Sequence, residues 1–389
     1  MKRFENIFRT LCLLIFCTAT PHSHAQEDLL PDMDSVEVGL LTCSPHNEVY
    51  SLYGHTALHW HDLRTDEHFV FNYGVFDYRK PHFVWRFMMG QTDYKLECTS
   101  NLNRWCNYYR KWGSEVKEQI LNLTPSEKRR LQEALGINLK SPVYRYNFFF
   151  DNCSTRPRNI IEKCLEGEVK YELNQEFSEA TFRQLIHHCT TDHPWAAFGN
   201  DLLLGLNADR KATQRERQFL PALLSWDFDH ATVIRNGQEL PLVSRRVIHV
   251  PLGNQPIEKE FPLSPLTCTL LLLIASLAIG MLEWRSKRIM VWWDVLLMLA
   301  SGIAGCILLL MVFSEHPATS LNLQLLILNP AALLFIPSVV RRKKTIWFRI
   351  MGVLAVVFLI GSFWQDYAEG MEIVALCLLI RTWIHRDDK

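Results

Sequence analysis

The first 260 residues contain no phosphate-cradling glycine loop and no basic run, and over the whole chain Lys plus Arg balance Asp plus Glu at 41 each. Nucleotide cradles and nucleic-acid surfaces rely on such features, so nucleic acid is not an expected partner. Neither H-E-x-x-H nor a paired C-x-x-C occurs, which removes the commonest sequence signatures of zinc, and no metal or cofactor is expected. The regular β-α-β alternation of a doubly wound sheet is missing as well. What the chain does have is a change of composition: a mixed, moderately apolar part to about residue 260, then long apolar segments from Pro262.

The most informative stretch is Tyr146–Arg158, Y-N-F-F-F-D-N-C-S-T-R-P-R. Phe148, Phe149 and Phe150 have the character of a buried strand, here Tyr144–Phe150, and Asp151, Asn152, Ser154 and Thr155 are helix-capping types. Proline is comfortable only in a helix's first turn, so Pro157 sets the helix start near Cys153 or Ser154. A thiol at a helix N-terminus meets unpaired N–H groups and the positive end of the dipole, which favour the nucleophilic thiolate. The competing reading is a buried structural cysteine.

A nucleophilic thiol needs a base, and Tyr53–Tyr78 holds His55, His59, His61 and His68 within fourteen residues. With a period of two, His55, Ala57, His59 and His61 share one strand face, while Thr56, Leu58 and Trp60 share the other. The turn R-T-D-E then leads to a second strand, His68–Tyr73, making a hairpin. For His59, His61 and His68 a solvated polar face is expected, with a zinc site as the alternative. His55 stands apart because it follows Gly54, where the backbone can approach another element closely.

Together G-H-T-A-L, F-N-Y-G-V-F-D and D-N-C-S-T-R-P resemble the periplasmic domain of the Lnb-type lipoprotein N-acyltransferases over about residues 35–230, and the apolar second half agrees with it. The resemblance implies an α+β exported domain with a permuted papain-like (NlpC/P60, lecithin–retinol acyltransferase-like) fold, in which histidine precedes cysteine, followed by an all-α membrane domain of five helices. It makes Cys153 the nucleophile and His55 the base. Asn72, in the N-Y-G segment, is placed in the third catalytic role, for which His59 and Asp151 also compete.

Taken in order, Met1–Ala25 carries a basic start, an apolar core at Leu11–Phe16 and the small-residue end Ser23-His24-Ala25, a signal peptide with cleavage expected after Ala25 and an uncleaved anchor as the alternative. Cys17 follows the bulky Phe16, which disfavours lipoprotein processing. Export implies an oxidising compartment, so disulfides are expected among Cys43, Cys98, Cys106, Cys164 and Cys189, with Cys98–Cys106 the closest pair and Cys153 left reduced. Within the exported domain, residues 26–260, strands and helices interleave as α+β. In L-T-P-S-E-K, Thr124, Pro125 and Glu127 announce a capping box and a helix running to about Leu135.

Residues 261–389 form the membrane domain. Apolar segments at Pro265–Leu282, Ile289–Phe313, Leu321–Val340, Ile346–Phe363 and Glu372–Ile384 approach the roughly 20 residues that a span requires. Arg285, Lys287 and Arg288, then Arg341–Lys344, then Arg381, Arg386 and Lys389 fall on one side of five spans, which is therefore cytoplasmic. The outward loops are residues 314–322 and 364–370. Polar groups at membrane depth are costly unless they line a site. His316, Asn322 and Asn329, with Glu315 and Gln324 nearby, are thus candidate substrate contacts, as are Asp151, Asn152 and Arg156 beside the thiol.

The resemblance then gives a complete expectation: an inner-membrane enzyme of a Gram-negative bacterium with its catalytic domain in the periplasm. It would move an acyl chain from a membrane phospholipid, through a Cys153 thioester, to the α-amino group of a diacylglyceryl-cysteine lipoprotein. The same pair would serve a membrane-anchored cysteine hydrolase, a peptidase or amidase of cell-wall peptides, although a soluble substrate does not require five helices. A non-catalytic membrane receptor is the third class. The topology is checked by cysteine accessibility: sites within Arg341–Lys344 and after Ile384 are expected to react only with membrane-permeant reagents. Labelling of either from outside would overturn the five-span orientation.

Overall fold

A computed structural model describes residues 32–255 and 261–386, so the expected signal peptide and Lys389 lie outside the described residues. Ten strands run in chain order: β1 Val36–Cys43, β2 His55–Asp62, β3 Glu67–Val75, β4 Asp93–Thr99, β5 Val116–Leu121, β6 Val143–Arg145, β7 Glu168–Tyr171, β8 Ala231–Arg235, β9 Gln238–Pro241 and β10 Val243–Val250. Seven form a wholly antiparallel sheet in the order β10-β5-β1-β2-β3-β4-β6, and β7-β8-β9 form a second, smaller one. Helices α1 Phe83–Met88, α2 Leu102–Lys111, α3 Pro125–Lys140, α4 Thr155–Cys164, α5 Phe182–Thr190, α6 Pro194–Leu203, α7 Gln214–Arg217 and α8 Pro221–Asp229 pack around them.

The period-two pattern of β2 divides the core. Leu58 and Trp60 join Val38 and Leu40 beneath α3 and α4, where Leu131, Leu135 and Ile161 close the main cluster. Ala57 faces the other way, against Leu102, Cys106 and Tyr109 of α2. Truncating a fully buried leucine such as Leu58 to alanine would cost about 2–5 kcal/mol. The capping box forms as its sequence announces, with Glu127 N–H donating to Thr124 Oγ1 and Thr124 N–H to Glu127 Oε2.

Three expectations are corrected. The aromatic run Phe148–Phe150 is a turn, because Asn147 Oδ1 accepts from the N–H groups of both Phe149 and Phe150, and β6 has already ended at Arg145. Phe149 is buried instead against Phe182 and Phe219, with Phe148 half-buried on Phe219 and Phe150 left exposed. The nine described cysteines are free thiols, with Cys106 of α2 in one buried cluster with Cys43, and Cys98 in β4 opposite Phe71. Thirdly, Leu321–Val340 is not one helix. Asn322 caps a short 3-10 turn at Leu323–Leu326, and a helix resumes only after Asn329 and Pro330.

The second half is helical: α9 Pro265–Ser286, α10 Val291–Val312, α11 Ala332–Val340, α12 Trp347–Gly361 and α13 Met371–Ile384. By length and composition α9 and α10 are long and apolar enough to cross a membrane; α12, at 15 residues, is apolar but shorter. Arg381 does not weaken the last segment as its charge implies in isolation. It is 2% exposed and donates to Asp294 Oδ1 at 2.7 Å and to both carboxylate oxygens of Glu283, while His385 Nε2 bonds Asp294 Oδ2 at 3.0 Å. The cluster ties α9, α10 and α13 into one unit. Removing one partner strands the opposite charge, so Arg381→Ala is expected to cost about 3–5 kcal/mol, read as a lower thermal midpoint in detergent. An unchanged midpoint would show that the cluster is not what holds these helices.

Candidate active site

Cys153 ends the turn that follows β6 and directly precedes Ser154, the N-cap of α4. The turn is closed by Asn147 and Asp151, which exchange backbone hydrogen bonds at 3.0 and 2.9 Å. Beneath it Asn152 is 2% exposed and uses its whole amide: Oδ1 accepts from the Ser154 and Thr155 N–H groups, and Nδ2 donates to the Phe148 and Phe219 carbonyls. The Thr155 hydroxyl accepts from Asn152 N–H in return. Asn152 thus braces the turn that presents the thiol.

His55 opens β2, and its imidazole is hydrogen-bonded to Cys153. Its Nε2–H donates to Asn72 Oδ1 of β3 at 2.6 Å, which leaves Nδ1 for the sulfur. Burial pushes the thiol up, but the His55 charge and hydrogen bond, the Thr56 N–H and the Ser154 hydroxyl together hold it below its ordinary value. Burial likewise disfavours the imidazolium, and the Cys153 charge with the Cys153 and Asn72 hydrogen bonds reverses the effect, so His55 is raised. The two opposite shifts both favour the thiolate–imidazolium form of one buried pair. Gly74 completes the wall: its φ of +88° suits glycine, and a Cβ there would lie 3.5 Å from Cys153 Cβ.

Of the expected site residues, Cys153, His55 and Asn72 therefore converge. Asp151, two residues before Cys153, accepts from Arg156 Nη2 at 2.7 Å, and that guanidinium lies 3.5 Å from the Tyr144 ring centroid. His316 Nε2–H donates to the Phe87 carbonyl at 2.9 Å. Asn322 is buried, donating to Leu202 O and accepting from Gln324 N–H and Gln365 Nε2, while Asn329 caps Ala331. Their hydrogen bonds go elsewhere than the pair: His316 and Asn322 join the two halves, and Asn329 starts α11. Sequence reasoning overlooked Thr56, Ser154 and the stacked Tyr94–Tyr146 wall, although alternation in Tyr144 and Tyr146 carried a signal.

The solvated face expected at His59 is corrected. His59 is 3% exposed, with Nδ1 bonded to Glu118 Oε1 at 2.6 Å and Nε2 to His68 Nδ1 at 2.9 Å. Glu118, from β5, also bonds His249 of β10 at 2.6 Å. Burial would raise this carboxyl, but its hydrogen bonds to His249 and His59 and their charges hold it down at about 2.

The two halves meet close to the pair. Arg145, next to Tyr146, donates to Glu315 Oε2 at 2.8 Å, Gln91 Nε2 to Glu315 Oε1 at 3.1 Å, and Glu315 N–H to the Met89 carbonyl. The fold and site define a two-part protein whose sheet-rich domain holds a thiol–imidazole pair against a helical membrane domain. Comparison with known families matches residues 29–188 to the Lnb N-terminal periplasmic domain and residues 256–387 to the Lnb transmembrane domain. The chain belongs to the Lnb family, as a membrane protein with an N-terminal periplasmic domain. No curated protein and no solved structure matches it.

Alkylation of Cys153, followed by peptide mass against pH, tests the ion pair without any substrate. The wild-type thiol is expected to react below its ordinary value of 9.0. In His55→Ala the charge and hydrogen bond are lost while burial remains, so the profile moves upward. Asn72→Ala, which lowers the His55 pKa, should fall between. An unmoved profile in His55→Ala would dissolve the pair.

Proposed function

We propose that the protein is a cysteine-dependent lipoprotein N-acyltransferase, with a permuted papain-like periplasmic domain set on a five-span domain of the inner membrane and a cytoplasmic C-terminus. Family membership supports an acyltransferase. The observation that carries the specific reading is a buried Cys153–His55 pair whose shifts favour the thiolate, in a domain whose Arg145, next to Tyr146, and Gln91 grip Glu315 of the outward membrane loop. A nucleophile at that level meets the ester region of the outer leaflet.

In the first half-reaction the Cys153 thiolate attacks an acyl ester carbonyl of a phospholipid. The C–S bond forms, the C–O bond breaks, and the departing alkoxide takes the proton from His55. Ser154 and Thr155 N–H groups are held by Asn152, so the Cys153 N–H is the donor of this helix start left for the oxyanion. In the second, the neutral α-amine of a diacylglyceryl-cysteine attacks the thioester. The C–N bond forms, the C–S bond breaks, and the amine's proton returns to His55. Asn72 keeps the imidazole oriented through both halves, and Asp151 with Arg156 borders the path of the acyl donor.

Cys153→Ala is expected to abolish transfer and Cys153→Ser to be nearly as poor, since a hydroxyl is much the weaker nucleophile beside the same base. His55→Ala should lose about a hundredfold to ten-thousandfold. Incubation with phospholipid and no amine should leave a hydroxylamine-sensitive acyl group on Cys153. An active Cys153→Ala variant without that adduct would refute the thioester route.

A further inference from the structure

We infer that His59, Glu118 and His249 form a binding site for one divalent metal ion of zinc type, separate from the thiol–imidazole pair. Their ligand atoms lie within 4.8 Å of one another and come from three strands, β2, β5 and β10. Two imidazole nitrogens and a carboxylate are the donor set that zinc takes, with a fourth position left for water. Glu118 Oε1 and Oε2 now contact His59 Nδ1 and His249 Nε2 at 2.6 Å each. A metal with bonds of about 2.0–2.1 Å would open these contacts to about 3.3 Å, a side-chain adjustment.

The surroundings are built for this convergence. Glu118 reaches His59 across β1, and it can do so only because position 39 is glycine: a Cβ there would sit 1.9 Å from Glu118 Oε1. His59 has an outer partner of the kind that orients metal-bound histidine, since its Nε2 meets His68 Nδ1 at 2.9 Å and His68 Nε2 lies 3.4 Å from Asp66 Oδ1. With Nε2–H donating outward, Nδ1 offers its lone pair inward. Glu118 and His59 are 2% and 3% exposed, whereas the His249 side chain, on the sheet's edge strand, is 22% exposed and gives an ion a way in. His59 lies four residues along β2 from His55, roughly 13 Å at strand rise, so the ion cannot reach the sulfur. It would instead pin β10, the strand that leads to the membrane domain, onto β5 and β2.

The test uses the full chain in detergent, stripped with a chelator and then given zinc or cobalt alone. Wild type is expected to retain one zinc per chain by elemental analysis, to melt higher with zinc than with chelator, and to give a cobalt spectrum free of thiolate charge transfer. Cys153→Ala should match it. His249→Gln, on the exposed edge where folding is least at risk, should weaken binding at least about tenfold, as should Glu118→Gln. His68→Ala should weaken it about 10–100-fold, the range of outer-shell partners. Substoichiometric metal with an unchanged melting point in wild type would overturn the site. So would binding that survives His249→Gln and Glu118→Gln together, or a cobalt–thiolate band.

Discussion

Two opposite charges buried side by side cost several kcal/mol per ion in lost hydration, and the Cys153–His55 pair exists only because its neighbours return that energy. Burial by itself would make the thiol harder and the imidazolium easier to deprotonate, giving an inert neutral pair. The reversal depends on fixed groups: the Thr56 N–H and Ser154 hydroxyl on the sulfur, and the Asn72 carbonyl oxygen on the imidazole. Each sits on a different element, so β2, β3 and the α4 start must be held together before the charges can form. Asn152 does this for the turn, spending both ends of its amide on backbone groups. The main core does it for the strands, through Leu58 packed opposite Leu131 and Ile161.

The same need for partners explains how the halves dock. The last carbonyls of a helix have no partner within it. At the end of α6, Asp201 O and Leu202 O accept from Gln324 and Asn322, and Leu204 O just beyond accepts from Gln365. Amides of the membrane half thereby complete a periplasmic helix. Their side chains are buried, so the junction is a shared hydrogen-bond network and not a surface touch. Together with the Glu315 contacts, it fixes the height of the Cys153 turn above the helices.

What could be read from the chain was local. Pro157 among capping residues located the start of α4, and Thr124 with Glu127 located α3, because each signal and its effect lie within one helical turn. Asn72 entered through N-Y-G. The misread elements turned on distant partners. Alternation put His59 on the correct face of β2, but whether that face is wet depends on Glu118 and His249, 59 and 190 positions away, and on the glycine at 39 that lets Glu118 cross. Phe148–Phe150 had strand composition, yet one residue, Asn147, diverted its N–H groups into a turn. The disulfide expectation rested on compartment alone, and compartment says nothing of whether two sulfurs meet.

Polar residues in the apolar half divide into two sets by how their cost is met. Toward the outer loop, Asn322, Gln324 and Gln365 are neutral and are satisfied by backbone of the periplasmic domain. At the opposite ends of the helices, Glu283, Asp294, Arg381 and His385 are ionisable and satisfy one another. The first set joins domains and the second joins helices. Intramembrane polarity thus serves here to hold the two halves, and the helices of the second half, together. The frame on either side keeps the turn that carries Cys153 at one height above the helices.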